Sequence, residues 1–277
     1  MMIIDHKKVF ISICMLFLFM IDTHCHLEQP DYDKDRKEVI KRCRNQLQAV
    51  ITSCVNPRYF ELTLQLVQQY KDFVFATAGI HPSYIKTFSH GKIREYVDWI
   101  TSNKDSIVAI GETGLDYNWV KETNWRKKQK QLFVRLIEIA NQLQLPLVIH
   151  SRDATEDAIA VLEQYADEHV QMHMFTNYSC LKRVVDNGWL ISVNTLLLRS
   201  KGIRKIVRDC PLEQLMLETD SPWLGIGEDG NIKPKDIVRN EPFAVCLVGK
   251  KIAEIKKMDI KQVDEQTTDN AVKFFNL

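Results

Sequence analysis

Eight short β-rich runs alternate with amphipathic segments along this chain, and that alternation limits what it can fold into. The runs open at 19–21, leading into His24 and His26, and recur at 48–54, 73–80, 107–112, 146–149, 170–174, 189–193 and 214–220. Helical patterns lie between them at 33–46, 57–70, 93–101, 124–143, 155–165, 180–187 and 203–209, and two more, 244–255 and 262–275, close the chain. The runs are nearly continuously apolar, as strands of a parallel sheet covered on both faces must be. Regular alternation predicts the α/β class, and eight units over about 250 residues match a closed (β/α)8 TIM barrel with an eight-stranded parallel sheet. A doubly wound open sheet is the alternative. It would open on a glycine-rich first turn, which this chain lacks. No Gly/Ser-rich linker interrupts 20–277, so a single domain is expected.

The polar residues are placed where the apolar runs stop. His24 and His26 end the first run, His81 the third, Glu112 the fourth, His150 the fifth and Asp220 the eighth, while His173 lies in the sixth. Side chains alternate along a strand, so His24 and His26 share a face and Cys25 points away. Barrel active sites form at the C-terminal strand ends, so closure would bring all these groups to one rim. One such histidine alone would read as a hydrogen-bonded structural residue. Several at the same end of different strands, with two carboxylates, predict a metal site. His6, His90 and His169 fall outside the pattern and are expected at the surface. Four imidazoles and two carboxylates exceed what one tetrahedral zinc needs. They suit two divalent cations a few ångströms apart with a bridging carboxylate and a hydroxide between them, the mixed donors favouring Zn, Mn or Fe over Ca, with Mg compatible.

Composition narrows the partners. A formal net charge of +1 gives no global basic field for nucleic acid, so any such contact must be local. The clusters Arg126-Lys127-Lys128-Lys130 and Lys250-Lys251 read as solvated helix faces, and no long basic groove is legible. Seven dispersed cysteines without CxxC spacing predict reduced thiols and a cytoplasmic setting. Residues 1–19 carry Lys7-Lys8 and an apolar run over 9–21 broken by Ser12. That run is shorter than the ~20 residues a membrane helix needs, and no Ala-x-Ala-like cleavage site follows. We expect 1–19 to be a dispensable extension and the protein to lack a membrane association; a membrane-associating helix is the alternative.

Seven motifs in order carry a family resemblance: MIDTHCHLE (20–28), GIHPS (79–83), GETGLDY (111–117), PLVIHSRDA (146–154), HMF (173–175), ETDSPWL (218–224) and RNEP (239–242). Together they resemble the TatD-type metal-dependent deoxyribonucleases of the amidohydrolase superfamily, over 20–277. The resemblance implies that His24, His26 and Asp220 hold a first metal, that Glu112 bridges two, and that His150 and His173 hold the second. Phosphotriesterase-like relatives bridge with a carboxylated lysine; here the position is Glu112. Two departures stand out: the family often reads His-Cys-Phe-Thr-Gly where this chain has His173-Met-Phe-Thr-Asn177, and many members place a further histidine where this chain has Ser83.

The expected activity is metal-dependent hydrolysis of DNA phosphodiesters. The bridging hydroxide attacks, Asp220 orients it and accepts its proton, and Glu112 and His81 complete the catalytic group. Hydrolysis of an ester or amide, as by a D-aminoacyl-tRNA deacylase, is the alternative; a binding protein with a decayed site would have lost some of these ligands. Arg152 could pair with a phosphate, or instead with Asp153 or Glu218. Tyr117, Trp119, Phe175 and Trp223 lie in strand-end loops where they could stack on bases or simply pack. A site sunk in a barrel mouth is a cup, which a duplex cannot enter. The expectation is therefore removal of nucleotides from single-stranded ends, by resemblance in the 3′-to-5′ direction, with weak binding and no stable protein partner.

Overall fold

The computed structural model describes residues 19–226 and 238–277. Residues 1–18, with His6 and most of the expected extension, lie outside the described residues. Eight parallel strands run in sheet order β1 to β8: β1 (Ile21–Cys25), β2 (Ala49–Cys54), β3 (Val74–Ala78), β4 (Ala109–Asp116), β5 (Leu147–Arg152), β6 (Val170–Met172), β7 (Leu190–Val193) and β8 (Leu215–Leu217). Helices α1 (Arg36–Arg44), α2 (Phe60–Gln69), α3 (His90–Ser102), α4 (Thr123–Leu143), α5 (Thr155–Tyr165), α6 (Leu181–Asp186) and α7 (Lys201–Asp209) connect them. Two more, α8 (Val245–Lys256) and α9 (Ile260–Phe275), follow. The ring closes where β8 returns to β1: the Asp220 amide donates to the His24 carbonyl (2.9 Å), and the His26 amide to the Ser221 carbonyl (2.7 Å). This is the expected (β/α)8 barrel.

Strands four and five run further than their apolar residues suggest. β4 continues past Glu112 to Asp116 because Thr113 to Asp116 pair in register with Ile149 to Arg152 of β5. The polar Gly-Glu-Thr-Gly stretch conceals this, since ladder hydrogen bonds and not side-chain hydrophobicity sustain it. Gly114 holds φ +142°, and a Cβ there would collide with the His150 carbonyl, so the close approach of β4 to β5 requires glycine. β6 and β8 are shorter than expected, ending before His173 and Glu218.

Two register shifts matter for the site. One falls between Gly111 and Thr113 against β5, the other between Asp22 and Cys25 against β2. Each leaves one strand with an extra residue. Such bulges kink a strand and re-aim its side chains. The extra stretches contain Glu112 and His24.

The barrel is layered. Ile21, Ile51, Ala109, Val148 and Met216 form an apolar floor, packed with Phe274 and Phe275 from the end of α9. A hydroxyl and amide layer follows: Ser53 and Thr77 pair at 2.8 Å, and Gln171 donates to Thr23 (3.2 Å) and Ser192 (2.8 Å). Imidazoles and carboxylates fill the C-terminal mouth. Outside the sheet, helices such as α4 bury one stripe (Leu132, Phe133, Leu136, Ile137, Ala140) against the strands. α9 starts on a capping box of Asp259 and Gln262. Among the described residues no helix is long and apolar enough to cross a membrane.

Candidate metal centre

The structure brings His24, His26, Glu112, His150, His173 and Asp220 together at the mouth. His24 and His26 point the same way, their Nε2 atoms 3.2 Å apart. Cys25 is buried in the core outside the sheet, its thiol 3.4 Å from the Ile51 carbonyl, so the face assignment along β1 holds. Glu112 lies between two groups: Oε2 is 3.5 Å from His24 Nε2, and Oε1 is 2.6 Å from His150 Nδ1 and 3.6 Å from His173 Nε2. Asp220 Oδ1 is 3.4 Å from His26 Nε2 and 3.9 Å from His24 Nε2. Asp220 holds φ +56°, a left-handed conformation that aspartate tolerates better than most residues. Two triads able to hold a cation, His24–His26–Glu112 and Glu112–His150–His173, thus share Glu112, and His24–His173–Asp220 forms another.

These separations test whether the residues fit a metal. The 3.4, 3.5, 3.6 and 3.9 Å gaps are too long for hydrogen bonds. Donors sharing a tetrahedral ion at about 2.1 Å sit ~3.4 Å from one another. Apart from the 2.6 Å Glu112–His150 hydrogen bond, these donor atoms are therefore spaced as neighbours around a cation, not as bonded partners. His24 Nδ1 is also buried without a hydrogen-bond partner, which costs free energy unless the ring is held otherwise. Four imidazole nitrogens and two carboxylates, all buried or nearly so, fit divalent ions.

Two carboxylates stand behind the imidazoles, and reading strand ends alone misses this role. Asp116 Oδ2 is 3.0 Å from His150 Nε2, and Glu218 Oε2 is 2.9 Å from His173 Nδ1. A carboxylate there fixes the tautomer and makes the opposite nitrogen a better ligand. His150 consequently presents Nδ1 to the centre, whereas His24, His26 and His173 present Nε2. Asp116 is fully buried and fixed by the Trp119 amide (2.7 Å); Glu218 also accepts from Ser192 (2.6 Å) and Asn194 (3.1 Å).

Charge follows this wiring. Burial opposes ionisation of Glu112, but the surrounding imidazoles hold its pKa well below the usual carboxylate range. Asp220 is lowered for the same reason, burial again opposing. Burial would also lower His173, yet Glu218 and Glu112 raise its pKa to about 9. His24 is lowered by burial and by the stacked His173 ring, 3.7 Å away.

The family model described as TatD related DNase matches residues 21–276. The chain belongs to this family. It is 32% identical to the human protein named Deoxyribonuclease TATDN3, the match covering 92% of this chain and 94% of that one. It is also 32% identical to the Bacillus subtilis metal-dependent hydrolase YabD, over 93% of this chain and 99% of that one. The fold superposes on a TatD-family hydrolase from Entamoeba histolytica with a TM-score of 0.83 at 21% identity, covering 93% of this chain and 98% of that one. A TatD homologue from Escherichia coli gives 0.82 at 23% identity, covering 96% and 99%. The protein is thus a metal-dependent hydrolase of the TatD family.

Around the TatD-family centre the remaining expectations divide. His81 caps the 3-10 turn Pro82–Lys86, with Nδ1 accepting from the Ser83 amide (3.1 Å) and lying 2.7 Å from the Ser83 hydroxyl. Ser83 thereby steers His81. An accepting Nδ1 puts the ring proton on Nε2, which faces Glu112 at 3.7 Å. Burial, helped by nearby His150, lowers the His81 pKa to about 3, so it is a neutral donor aimed at the centre. Arg152 is exposed on the rim and has no ion pair among the described residues; Glu218, one expected partner, is taken by His173. Tyr117 donates to Asp157 (2.6 Å) and carries the Arg126 guanidinium over its ring at 4.2 Å. Trp223 is 44% exposed with its ring 4.5 Å from that of His26. Phe175 is buried and offers no face for stacking, while Trp119, at 65% exposure, offers the most. Met174 and Asn177 line the pocket. His90 and His169 lie at the surface, as expected.

Proposed function

We propose that the protein removes nucleotides from single-stranded DNA ends, in the 3′-to-5′ direction, with two divalent cations held by His24, His26, Glu112, His150, His173 and Asp220. The observation that carries this reading is the convergence of those six side chains, all but the fully buried His24 lining a cavity of about 1240 Å³. The name of the human relative attributes deoxyribonuclease activity to that protein, which supports DNA as the substrate class. Two bound cations would supply a nucleophile at neutral pH and offset charge on the phosphoryl oxygens.

The chain's own groups do the rest. Asp220 is ionised and faces the first triad, so it orients the attacking water and accepts its proton. Glu112, ionised and shared, keeps the two triads in register. His81 donates from Nε2 to a phosphoryl oxygen as charge builds there. Arg152 on the rim meets the phosphate that follows. Trp223 and Tyr117 line the wall, with Trp223 offering a face for the terminal base. The ligands sit below the rim, and a stiff duplex cannot lower an internal phosphate between these walls.

The experiment compares a 5′-labelled single strand, the matching blunt duplex and a closed single-stranded circle, each with metal-loaded protein, alongside an aminoacyl ester. A one-nucleotide ladder from the linear strand alone is expected. Cutting of the circle at a comparable rate would replace the end-directed reading with an endonuclease. Hydrolysis confined to the ester would replace DNA as substrate.

A further inference from the structure

Beside the cup lies a second cavity of about 400 Å³, between the start of α3 and the outer face of α4. The two share a wall. In the turn Pro82–Lys86, Ser83 and Tyr84 line the cup, and the next two residues line the second cavity. The β4–α4 connection and the first turns of α4 do likewise, with Tyr117 and Trp119 of the connection on the cup and Trp125 and Lys128 of the helix on the groove. A chain leaving the cup past the exposed Trp119 therefore meets this groove next.

Its lining is cationic and aromatic. Lys86, His90, Lys128 and Arg135 surround Phe88 and Trp125, and no carboxylate lines it among the described residues. Lys86 is neutralised by Glu122 at 2.6 Å. Lys128 is held over the Trp125 ring, 4.2 Å from its centre, and Arg135 is exposed. Neither Lys128 nor Arg135 is in an ion pair among the described residues. Seven positions apart on one helix, they are about 10 Å apart along its axis and can hold two different phosphates. The basic run of α4, which reads from sequence as a solvated face, thus has one side built into a groove.

We propose that this groove holds the sugar–phosphate backbone of a single-stranded DNA substrate several nucleotides from the bond being cut, with Lys128 and Arg135 each on a phosphate. The proposal rests on the DNA reading above and adds to it a reason for substrate length to matter. The occupant follows from charge complementarity and from continuity with the cup. Such contacts raise affinity without touching the chemistry, and they are lost as salt rises.

The test uses full-length, metal-loaded protein in three forms: wild type, Lys128→Glu/Arg135→Glu, and Lys127→Glu/Lys130→Glu. The last makes the same charge change at exposed positions of α4 that do not line the groove. Each is assayed on a thymidine dinucleotide and on an oligothymidylate about twelve nucleotides long, a length within the range of single-strand sites. The groove variant is expected to lose about tenfold in kcat/KM on the long strand and to flatten the salt dependence of its binding by about 1.4 in log–log slope. The dinucleotide rate should be unchanged, and the control variant should stay near wild type. Equal losses in both variants, or an equal loss on the dinucleotide, would overturn the groove. Lys128→Gln/Arg135→Gln repeats the comparison if charge reversal disturbs folding. Fluorescence anisotropy of the same strand separates the two readings. Groove-dependent binding without nucleotide release would leave the groove standing and remove the nuclease reading. Cleavage indifferent to the groove variants would do the opposite.

Discussion

His173 shows how a single residue couples this centre to pH. Its pKa stands at about 9 because Glu218 and Glu112 outweigh burial, so the metal-free ring is cationic at neutral pH. A cation can take Nε2 only after that proton leaves. Metal loading should therefore release a proton, and affinity should climb as pH rises towards about 9 and level off above it. Calorimetric titration in two buffers of different ionisation heat measures the release; identical heats would contradict the wiring from Glu218. Asp220→Asn keeps a side chain that tolerates φ +56° and removes only the charge. Turnover should fall at least ~100-fold. Cys25→Ser should leave it unchanged, because Cys25 sits in the core outside the sheet. Inactive Cys25→Ser protein with normal metal content would reverse the face assignment on β1. The six central residues are legible in the sequence because each interrupts or ends an apolar run. Asp116 and Glu218 are not legible in their supporting role, since only three-dimensional contact marks a carboxylate as lying behind an imidazole.

Among the secondary-structure elements, β4 carries the centre and shows where pattern reading stops. Its apolar half is plain from sequence, but the bulge at Glu112 and the extension to Asp116 depend on pairing with β5, which no local pattern records. Most helices were legible to within a few residues, and α5 to the residue, because amphipathic spacing is a local property. Gly79 on the loop after β3 touches the weak point directly. A Cβ there would sit 2.6 Å from both the Glu112 carbonyl oxygen and the Gly111 carbonyl carbon. Backbone cannot yield as a side chain can, so Gly79→Ala must displace β4 where it bears Glu112. The expected cost is ~1–3 kcal/mol of stability, with a larger loss of bound metal. Thermal unfolding together with elemental analysis tests this, and wild-type values for both would refute it.

For the molecule as a whole, the described chain begins by docking on its end. The Phe19 amide donates to Asp264 of α9 (2.9 Å), and its carbonyl accepts from Thr268 (3.2 Å). We propose that residues 1–19 are dispensable for chemistry. A chain starting at Met20 should hydrolyse normally and unfold a few degrees lower, for two lost hydrogen bonds of about 1 kcal/mol each; an inactive or insoluble product would show that the extension belongs to the working fold. The ring of strands has its own ends as well. β1 meets β8 with His24 and His26 on one side and Asp220 on the other, at a join where Asp22 and Thr219 bond across 197 positions of sequence. An ion gripped by all three would act as a buckle on a belt. Fastening so long a loop takes its entropy from the unfolded chain, worth at most about 5 kcal/mol if the link were permanent. Chelation should therefore speed amide hydrogen exchange at His26 and Asp220 more than at the β4–β5 ladder, and uniform acceleration would mean that the buckle carries no strain.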